Sequence, residues 1–474
     1  MITGGTGFVG KTLLSKLLTS CVEIGQIFLL VRPKSPQTPQ MRLKALLDHP
    51  IFSPDLINSE MLTKVTAISG DICSENLGIS EKDRQTLTEN VSVIIHSAAT
   101  LKFNERLDVA LNTNVKGSIR LLELAKECKK LKSFIYVSTA YVNSDKPNCI
   151  IDEVFCTRDF NPYTLMDKVG KMTTKELETA TPQLLKDMPN SYTFTKKCAE
   201  WVMQDHEKEL PLSIVRPSIV VGAWRDPFPG WVEGFTGMNG LVAAYGTGAV
   251  KVLRSYKDNI IDVICVDFVV NLIICAAWER VNANGTTIYH CGTSMENPLL
   301  FRDIVKYSDV IVKYPYKGIV GFPLVLQIPN PVLFYLSDIL LHYVPALIAD
   351  LVAFLLGKKM KAVAFYNKMD QFRDVVQFFI LSEFKFNVRN MQCLMKRMNL
   401  EDRKVFLLRL DDINWSDLRK PYWLEIKKNV LMDNGEDIEF TRKKLDRITK
   451  RIQILSIFAI FGILYICSIC VYYK

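Results

Sequence analysis

Tyr192 and Lys196 are four residues apart within N-S-Y-T-F-T-K-K, and both could take part in proton transfer. On a helix this spacing places the two side chains on one face. A free tyrosine has a pKa of about 10, so it exchanges protons near neutrality only with help. A nearby ammonium group gives that help by stabilising the phenolate. Because the spacing is common, the pair indicates catalysis only together with other suitable residues.

Hydroxyl groups follow a strand-like segment earlier in the chain. Residues 134–141 read F-I-Y-V-S-T-A-Y. This predicts a strand with hydroxyls at its carboxyl end, where open α/β sheets bind their ligands. We expect Thr139 to orient a substrate carbonyl, with Ser138 as the alternative. Asn114, in N-T-N-V-K-G, would either hold a water that relays protons to Lys196 or bond to the backbone around it.

A glycine-rich loop, T-G-G-T-G-F-V-G, occupies residues 3–10. Glycines at G-x-x-G-x-x-G spacing let the backbone turn tightly and approach a pyrophosphate without a Cβ in the way. A helix from about residue 8 would offer its N-terminal amides to the phosphates. Because an amphipathic helix and a hydrophobic strand follow, the loop predicts a dinucleotide site. Its candidate contacts are Gly4, Thr6, Gly7, Phe8 and Gly10.

Two further side chains bear on the choice of cofactor. Arg32 follows the second predicted strand, where an NAD-specific site usually carries an acidic residue for the ribose hydroxyls. A guanidinium there suits a 2′-phosphate, so NADPH is the predicted cofactor, with a solvated surface arginine as the alternative. Asp71, in S-G-D-I, would hold the adenine amino group or cap a helix. The cysteine spacings predict no metal site.

An α/β framework is needed to bring these residues together. Apolar runs at residues 27–31, 91–95 and 134–137 are typical of strands covered on both faces. Between them, apolar residues recur at helical spacing, as in the segments that begin near Leu13 and Leu121. The alternation predicts an α/β fold with a Rossmann-type, doubly wound parallel sheet.

The first strand of that sheet is short. Met1, Ile2 and Thr3 are the residues before Gly4, whereas a strand needs about five residues to pair well. We therefore expect either a truncated N-terminus or a weakened central strand.

The chain resembles the alcohol-forming fatty acyl-CoA reductases, within the extended short-chain dehydrogenase/reductases. The shared motifs are T-G-G-T-G-F-V-G at 3–10, H-S-A-A-T at 96–100, V-S-T-A-Y at 137–141, Y-T-F-T-K at 192–196, R-P-S-I-V at 216–220, D-P-F-P-G-W at 226–231, V-D-F-V-V-N at 266–271 and H-Y-V-P-A-L-I-A-D at 342–350. Sugar epimerases and steroid dehydrogenases share the glycine and tyrosine–lysine motifs. The stretch around Trp231 and the C-terminal part are more particular to acyl-CoA reductases.

This resemblance implies NADPH-dependent reduction of a long-chain acyl-CoA to a primary alcohol through an aldehyde, with release of CoA. Thr139 and Tyr192 would hydrogen-bond the developing oxyanion, and Tyr192 would donate the proton in the second step. Lys196 would assist Tyr192 and bind the nicotinamide ribose. Two other functions stay open: another membrane-bound extended dehydrogenase of steroid type, and a non-catalytic protein that binds acyl-CoA or lipid.

Four consecutive segments are predicted along the chain. They are a reductase domain at 1–300, an apolar connecting region at 301–357, a helical C-terminal domain at 358–450 and a transmembrane tail anchor at 452–473. Prolines interrupt the apolar run at 319–356, so we expect no single spanning helix there. A buried helical element is the favoured interpretation, and a membrane-associated surface is the alternative.

The tail has no charged residue over 22 positions, which is enough for a hydrocarbon core of ~30 Å. Basic residues precede it and favour a cytosolic catalytic domain, anchored in the peroxisomal or endoplasmic-reticulum membrane. The net charge of +9 would also suit nucleic acid, but the basic residues cluster beside the tail, so we expect no nucleic-acid binding. The oligomeric state is left undetermined.

Overall fold

The computed structural model describes residues 1–283 and 285–451. These residues form two compact units that interleave along the chain. The first comprises Met1–Trp231, Ile260–Leu299 and Ser382–Leu418. The second comprises Val232–Asn259, Leu300–Leu381 and the described residues from Arg419 onward. The predicted tail anchor at 452–473 lies outside the described residues, and the units group the chain differently from the consecutive segments expected above.

A seven-stranded sheet forms the centre of the first unit. Its strands are β1 (Ile2–Thr3), β2 (Ile27–Val31), β3 (Val65–Ser69), β4 (Val93–His96), β5 (Ser133–Val137), β6 (Leu212–Pro217) and β7 (Thr287–Cys291). The strand order is β7-β6-β5-β4-β1-β2-β3, and all neighbouring pairs are parallel. The strand order reverses between β1 and β4, where doubly wound sheets bind their ligands. The predicted fold class is confirmed.

The two residues of β1 pair with strands on both sides. Ile2 is in register with Leu29 of β2 and Ile95 of β4. The Met1 carbonyl accepts a hydrogen bond from the Ile95 amide at 2.9 Å, and the Met1 amino group donates to the Val93 carbonyl at 2.7 Å. The short strand is therefore held in the middle of the sheet by both neighbours, and it delivers the glycine loop to the switch point.

Helices cover both faces of this sheet, which explains why β2, β5 and β6 are buried along their whole length. The helices of the first unit are Phe8–Ser20, Pro39–Leu47, Ser59–Leu62, Glu81–Asn90, Leu107–Leu111, Gly117–Glu127, Pro162–Gly170, Thr174–Leu185, Ser191–Asp205, Val266–Arg280, Arg389–Arg397 and Leu400–Val405. Two short parallel strand pairs lie outside the sheet: Ile150–Ile151 with Lys385–Phe386, and Ile219–Val221 with Val263–Cys265.

The second unit is mainly helical. Its helices are Gly237–Gly246, Phe301–Val305, Tyr307–Lys313, Pro331–Asp338, Val344–Leu355, Ala362–Leu381 and 438–451. The helix Trp415–Glu425 begins in the first unit, and its residues from Arg419 onward belong to the second. Val252–Leu253 and Leu326–Gln327 form a short parallel pair. Trp423 is fully buried, and its indole nitrogen donates to the Tyr314 carbonyl at 2.9 Å. This hydrogen bond ties the segments around the two aromatic residues together.

Residues Pro331–Leu355 form one continuous helix of 25 residues, here called the apolar helix. Pro331 lies in its first turn, where the missing N–H is not needed. Pro345 follows a π-turn at Ile339–Tyr343, which rearranges the hydrogen bonds before the proline. The expectation that prolines prevent a long helix here is therefore wrong. Its most apolar stretch is only 17% buried, so the interpretation as a buried element is wrong as well.

Candidate active site

The glycine loop connects β1 to the helix Phe8–Ser20 and leaves no space for side chains at two positions. Gly4 adopts a φ of +74°, and a Cβ there would lie 2.7 Å from the Ala98 nitrogen. A Cβ on Gly10 would lie 2.1 Å from the Gly4 carbonyl oxygen. Gly7 is the N-cap residue and has no side chain to occupy the first-turn amides. The loop therefore has the close-approach geometry that a pyrophosphate needs.

Thr6 and Phe8, the other two loop candidates, are both partly buried. The Phe8 ring lies 6.4 Å from the Trp231 ring, measured between centroids. Trp231 in turn donates from its indole nitrogen to the Thr12 hydroxyl at 3.2 Å. The tryptophan of the D-P-F-P-G-W motif thus helps to fix the helix that follows the glycine loop.

Arg32 and Asp71 lie just beyond the carboxyl ends of the neighbouring strands β2 and β3. The Arg32 side chain is 66% exposed, and its Nη1 is 3.9 Å from Asp71 Oδ2. Asp71 Oδ1 accepts a hydrogen bond from the Cys73 amide at 2.9 Å. The carboxylate is therefore partly engaged in a local turn, while the guanidinium is largely exposed to solvent.

Tyr192 lies in the first turn of the helix Ser191–Asp205, here called the site helix. Asn190 caps this helix by accepting a hydrogen bond from the Thr193 amide at 2.9 Å. The Tyr192 ring stacks on Phe103, with centroids 5.7 Å apart. Thr139, two residues after β5, brings its side chain close to that of Tyr192. Burial raises the pKa of Tyr192, and the nearby Thr139 side chain partly opposes that rise.

Lys196 follows on the same helix but makes different contacts from those expected. Its Nζ donates to the Val137 carbonyl at 2.7 Å and to the Tyr136 hydroxyl at 3.3 Å. It also lies 4.6 Å from the centre of the Tyr136 ring. Burial lowers the pKa of Lys196 to about 7, and the charge of Glu200 partly opposes that shift. The ammonium is thus held against the end of β5, and its deprotonation falls near neutrality.

Asn114 is buried in a π-turn at Asn112–Lys116, and its side chain already has partners. Oδ1 accepts from the Thr100 amide at 2.9 Å, and Nδ2 donates to the Thr195 hydroxyl at 2.9 Å. The side chain therefore ties the loop after β4 to the site helix. This resembles the alternative in which Asn114 bonds to nearby backbone, although the Thr100 backbone is 14 residues away in sequence.

The comparisons with known proteins agree with this geometry. The family described as "Male sterility protein" matches through its NAD-binding part over residues 2–273 and through its "Sterile" part over residues 341–433. "Fatty acyl-CoA reductase 1" of Rattus norvegicus is 34% identical, over 94% of this chain and 87% of its own length. The protein of the same name from Homo sapiens is 32% identical with the same coverage.

The chain belongs to the fatty acyl-CoA reductases. The resemblance drawn from its motifs is confirmed.

Solved structures agree on the fold of this reductase. The terminal R domain of the myxalamid biosynthetic pathway superposes with a TM-score of 0.62 at 19% identity, covering 92% of each chain. The reductase domain of a non-ribosomal peptide synthetase from Mycobacterium tuberculosis gives a TM-score of 0.57 at 18% identity, covering 91% of each chain. At these identities the likeness establishes the fold alone.

Sequence reasoning missed a buried polar chain beside Lys196 in this reductase. Tyr136, which contacts Lys196, lies close to Ser118. The Ser118 hydroxyl lies 3.0 Å from His96 Nε2, and His96 Nδ1 lies 2.7 Å from the Thr3 hydroxyl. Burial, helped by the Lys196 charge, lowers the pKa of His96 to about 3, so the imidazole is neutral. The H-S-A-A-T motif was the available signal, because it places a histidine at the end of a buried strand.

A buried ion pair was also missed. Glu200 and Arg216 are both fully buried, and Arg216 Nη2 lies 2.5 Å from Glu200 Oε2. Arg216 Nη1 also lies 3.2 Å from His290 Nε2. Glu200 is one helical turn after Lys196, so helical spacing could have identified it. The pair joins the site helix to β6 and thereby fixes the helix that carries Tyr192 and Lys196.

Ser138, the alternative to Thr139, is buried next to these groups. Its backbone amide donates to the Val215 carbonyl at 2.7 Å. Its hydroxyl has no hydrogen-bond partner within the described part of the chain. Thr139, in contrast, contacts Tyr192 directly. The structure thus brings Thr139, Tyr192 and Lys196 to the carboxyl end of β5, beside the buried Ser138 hydroxyl.

Proposed function

We propose that this reductase converts long-chain fatty acyl-CoA to a primary fatty alcohol through an aldehyde, with NADPH as the reductant and CoA as the leaving group. The observation that carries the proposal is the closeness of the Thr139 and Tyr192 side chains just beyond the carboxyl end of β5. These two hydroxyls are at the sheet edge to which β1 delivers the glycine loop. A carbonyl placed between them would receive two hydrogen bonds.

The residues around the glycine loop fit a nicotinamide dinucleotide. Gly4, Gly7 and Gly10 would accept the pyrophosphate at the helix N-terminus. Glycine is needed for this tight loop, because a Cβ at Gly4 or Gly10 would collide with backbone atoms. Arg32, exposed beyond β2, would pair with a 2′-phosphate, which supports NADPH over NADH. When bound, the reduced nicotinamide supplies hydride to an acyl carbonyl carbon.

In the first reduction, the thioester carbonyl oxygen gains negative charge as its carbon accepts hydride. Hydrogen bonds from Thr139 and Tyr192 would stabilise that charge, and such donors act best in a site that excludes water. The Tyr192 hydroxyl suits this role because its raised pKa keeps it protonated at neutral pH. Collapse of the resulting hemithioacetal breaks the carbon–sulfur bond, releases CoA and leaves the aldehyde.

In the second reduction, the aldehyde carbon accepts a second hydride, which a second reduced nicotinamide would supply, and the aldehyde oxygen needs a proton to become the alcohol oxygen. Tyr192 would donate it, and the ammonium of Lys196 would stabilise the phenolate left behind. Because Lys196 is held on the Val137 carbonyl, this role requires its side chain to turn toward Tyr192. The pKa of about 7 for Lys196 places the loss of this ammonium within the physiological range.

The reductase would act at a membrane, with its catalytic residues in the cytosol. The charge-free stretch at 452–473 and the basic residues before it support a tail anchor. A long-chain alcohol partitions into lipid, so an anchored enzyme would release its product into the membrane. Both peroxisomes and the endoplasmic reticulum receive tail-anchored proteins, and we propose one of these as the location.

The test uses the full chain in detergent with NADPH and acyl-CoAs of several chain lengths. Alcohol and aldehyde are quantified by mass spectrometry, and NADH is supplied in a parallel reaction. We expect Tyr192→Phe to slow alcohol formation at least ~100-fold, because it removes the proton donor. NADPH affinity, measured by fluorescence titration, should stay unchanged.

Tyr256→Phe is the matched control, because Tyr256 is 49% exposed and belongs to the second unit. It should leave alcohol formation unchanged. If the unmodified chain binds NADPH and acyl-CoA but forms neither product, the non-catalytic alternative is correct. If Tyr192→Phe retains full alcohol formation, Tyr192 is not the donor.

A further inference from the structure

The apolar helix, Pro331–Leu355, has the reverse polarity of a surface helix on a water-soluble protein. Fifteen large apolar side chains between Val332 and Leu356 are exposed. They include Leu340 at 65%, Leu351 at 56% and Leu355 at 74% exposed. Soluble proteins rarely expose apolar patches larger than a few hundred Å² unless the patch binds something.

The polar groups of the helix face the protein instead. Asp338 and Asp350 are buried and His342 is half-buried, beside the buried ring of Phe334. His342 Nδ1 lies 2.6 Å from Asp338 Oδ1, and His342 Nε2 accepts the Lys251 amide at 2.7 Å. The helix thus directs its carboxylates and its imidazole inward and its hydrocarbon outward, which an aqueous surface does not favour.

Two sets of contacts hold the helix in this orientation. Asp338 accepts hydrogen bonds from Arg373 at 3.0 Å and from the Tyr366 hydroxyl at 2.8 Å. Asp350 accepts from the three amides of residues 361–363, at 2.8, 2.8 and 3.0 Å, and so caps the helix Ala362–Leu381. Turning the polar stripe outward would break a buried ion pair and this cap. The exposed apolar face is therefore a fixed feature of the second unit.

These contacts also bear on how the helix could meet a membrane. The apolar helix is long enough to cross a bilayer. However, a crossing would separate Asp338 from Arg373 or carry both into hydrocarbon, where unpaired charges are expensive. A helix that lies along the membrane surface keeps its inner stripe on the protein and immerses only its outer face. The observed pairing favours this second arrangement.

Charge at one end of the helix identifies the surface that it would bind. Lys358, Lys359 and Lys361 directly follow the last exposed leucine, and all three are exposed. Lysines at the edge of an apolar face match the anionic headgroups beside a hydrocarbon layer, whereas an apolar protein partner gains nothing from them. The same chain carries the charge-free stretch at 452–473, which provides a second reason to expect a bilayer nearby.

We propose that the apolar helix docks in the plane of a lipid bilayer, with its outer face in the headgroup and upper acyl region and its lysine end on anionic headgroups. This is a second membrane attachment, separate from the predicted tail anchor. It orients the second unit against the membrane surface. It does not rest on the proposed reaction, because it follows from the polarity of one helix.

The test reconstitutes the full chain in vesicles of phosphatidylcholine and phosphatidylserine that contain a photoreactive lipid. One lipid carries its photoreactive group just below the headgroup, and the other carries it at the bilayer centre. After irradiation, labelled peptides are mapped by mass spectrometry. We expect the shallow probe to label residues 331–356 and the central probe to label 452–473 but not 331–356. Omitting phosphatidylserine should reduce the shallow labelling.

Paired variants link the labelling to the outer face. Leu340→Glu combined with Leu351→Glu should reduce shallow labelling of the helix at least about fivefold, because charge does not enter the acyl region readily. Leu400→Glu is the control, because Leu400 is 72% exposed in a separate helix, and it should label like the unmodified chain. An unchanged melting temperature shows that the variants fold.

Three results would overturn the proposal. Equal labelling of 331–356 by both probes would mean that the helix crosses the bilayer. Labelling confined to 452–473 would mean that the apolar helix does not touch lipid. In a parallel sample treated with a protein crosslinker, crosslinks that join 331–356 to 452–473, or to a second copy of the chain, would mean that protein covers this face.

Discussion

The site helix and the apolar helix both bury charged side chains, but they differ in how much of their length is covered. The site helix, Ser191–Asp205, contains two lysines and a glutamate among its twelve buried positions. The apolar helix is far more hydrophobic, yet its most apolar stretch is only 17% buried. Hydropathy alone would have predicted the reverse. Which face of a helix is covered therefore depends on whether its polar side chains find partners inside the protein, and on what surrounds the helix.

In the site helix each buried charge has a partner. Glu200 pairs with Arg216, Lys197 lies 2.9 Å from Asp145, and Lys196 donates to the Val137 carbonyl. A buried charge that has a partner destabilises the protein little, whereas a buried charge without a partner destabilises it strongly. The site therefore concentrates polar groups inside the protein without losing a defined structure.

The largest expected effect comes from breaking the pair in the site helix. Glu200→Ala leaves Arg216 buried without its carboxylate, and we expect it to lower the free energy of unfolding by ~3–5 kcal/mol. Urea-induced unfolding in a mild detergent measures the change. Glu401→Ala is the control, because the Glu401–Lys404 pair is exposed, and it should have no measurable effect. Equal effects of both changes would remove the distinction between buried and exposed pairs.

The glycine loop offers the next largest effect. Gly10→Ala would place a Cβ 2.1 Å from the Gly4 carbonyl oxygen, so the loop must shift. We expect the Kd for NADPH to rise at least ~30-fold, which corresponds to about 2 kcal/mol. Gly25→Ala is the matched control, because a Cβ there meets no atom within 4 Å. Unchanged NADPH affinity in Gly10→Ala would show that the loop does not hold the cofactor.

A pH profile of the activity tests whether burial lowers the pKa of Lys196. Its pKa is lowered to about 7, so the ammonium that we assign to catalysis is present below that pH and is lost above it. We expect kcat/KM to fall about fivefold between pH 7 and pH 8. Lys196→Arg should be slower but flat over this range, since arginine stays charged. A profile of the unmodified enzyme that stays level to pH 9 would contradict the assignment.

The smallest expected effect concerns the outer face of the apolar helix. In detergent, Leu347→Gln should change the free energy of unfolding by less than ~0.5 kcal/mol, because Leu347 packs little against protein. Phe334→Leu, on the inner face of the same helix, should lower it by ~1 kcal/mol. If the two changes destabilise the protein equally, both faces of the apolar helix are packed against protein. The difference in burial between the apolar helix and the site helix would then disappear.

Much of the framework followed from local patterns. The glycine spacing, the apolar strands and the helical segments between them predict the parallel sheet, because each pattern reports burial of its own element. The motifs also predicted that Tyr192 and Thr139 act together, and in the structure their side chains lie close to each other. They did not reveal what Lys196 contacts, since Tyr136 and Val137 are about 60 residues away in the chain. The prolines wrongly predicted a break in the apolar helix, because a π-turn just before Pro345 lets the helix continue through it.

The sequence by itself determined the alternation of strands and helices in the first half of the chain, the glycine loop, the candidate proton donor and the family. Those features depend on residue type at fixed local spacing. Only the tertiary structure decided which charges pair, how far burial lowers the pKa of Lys196, and which face of the apolar helix points outward. These properties depend on neighbours brought close by folding, because the free energy of a buried charge or an exposed leucine is set by what surrounds it.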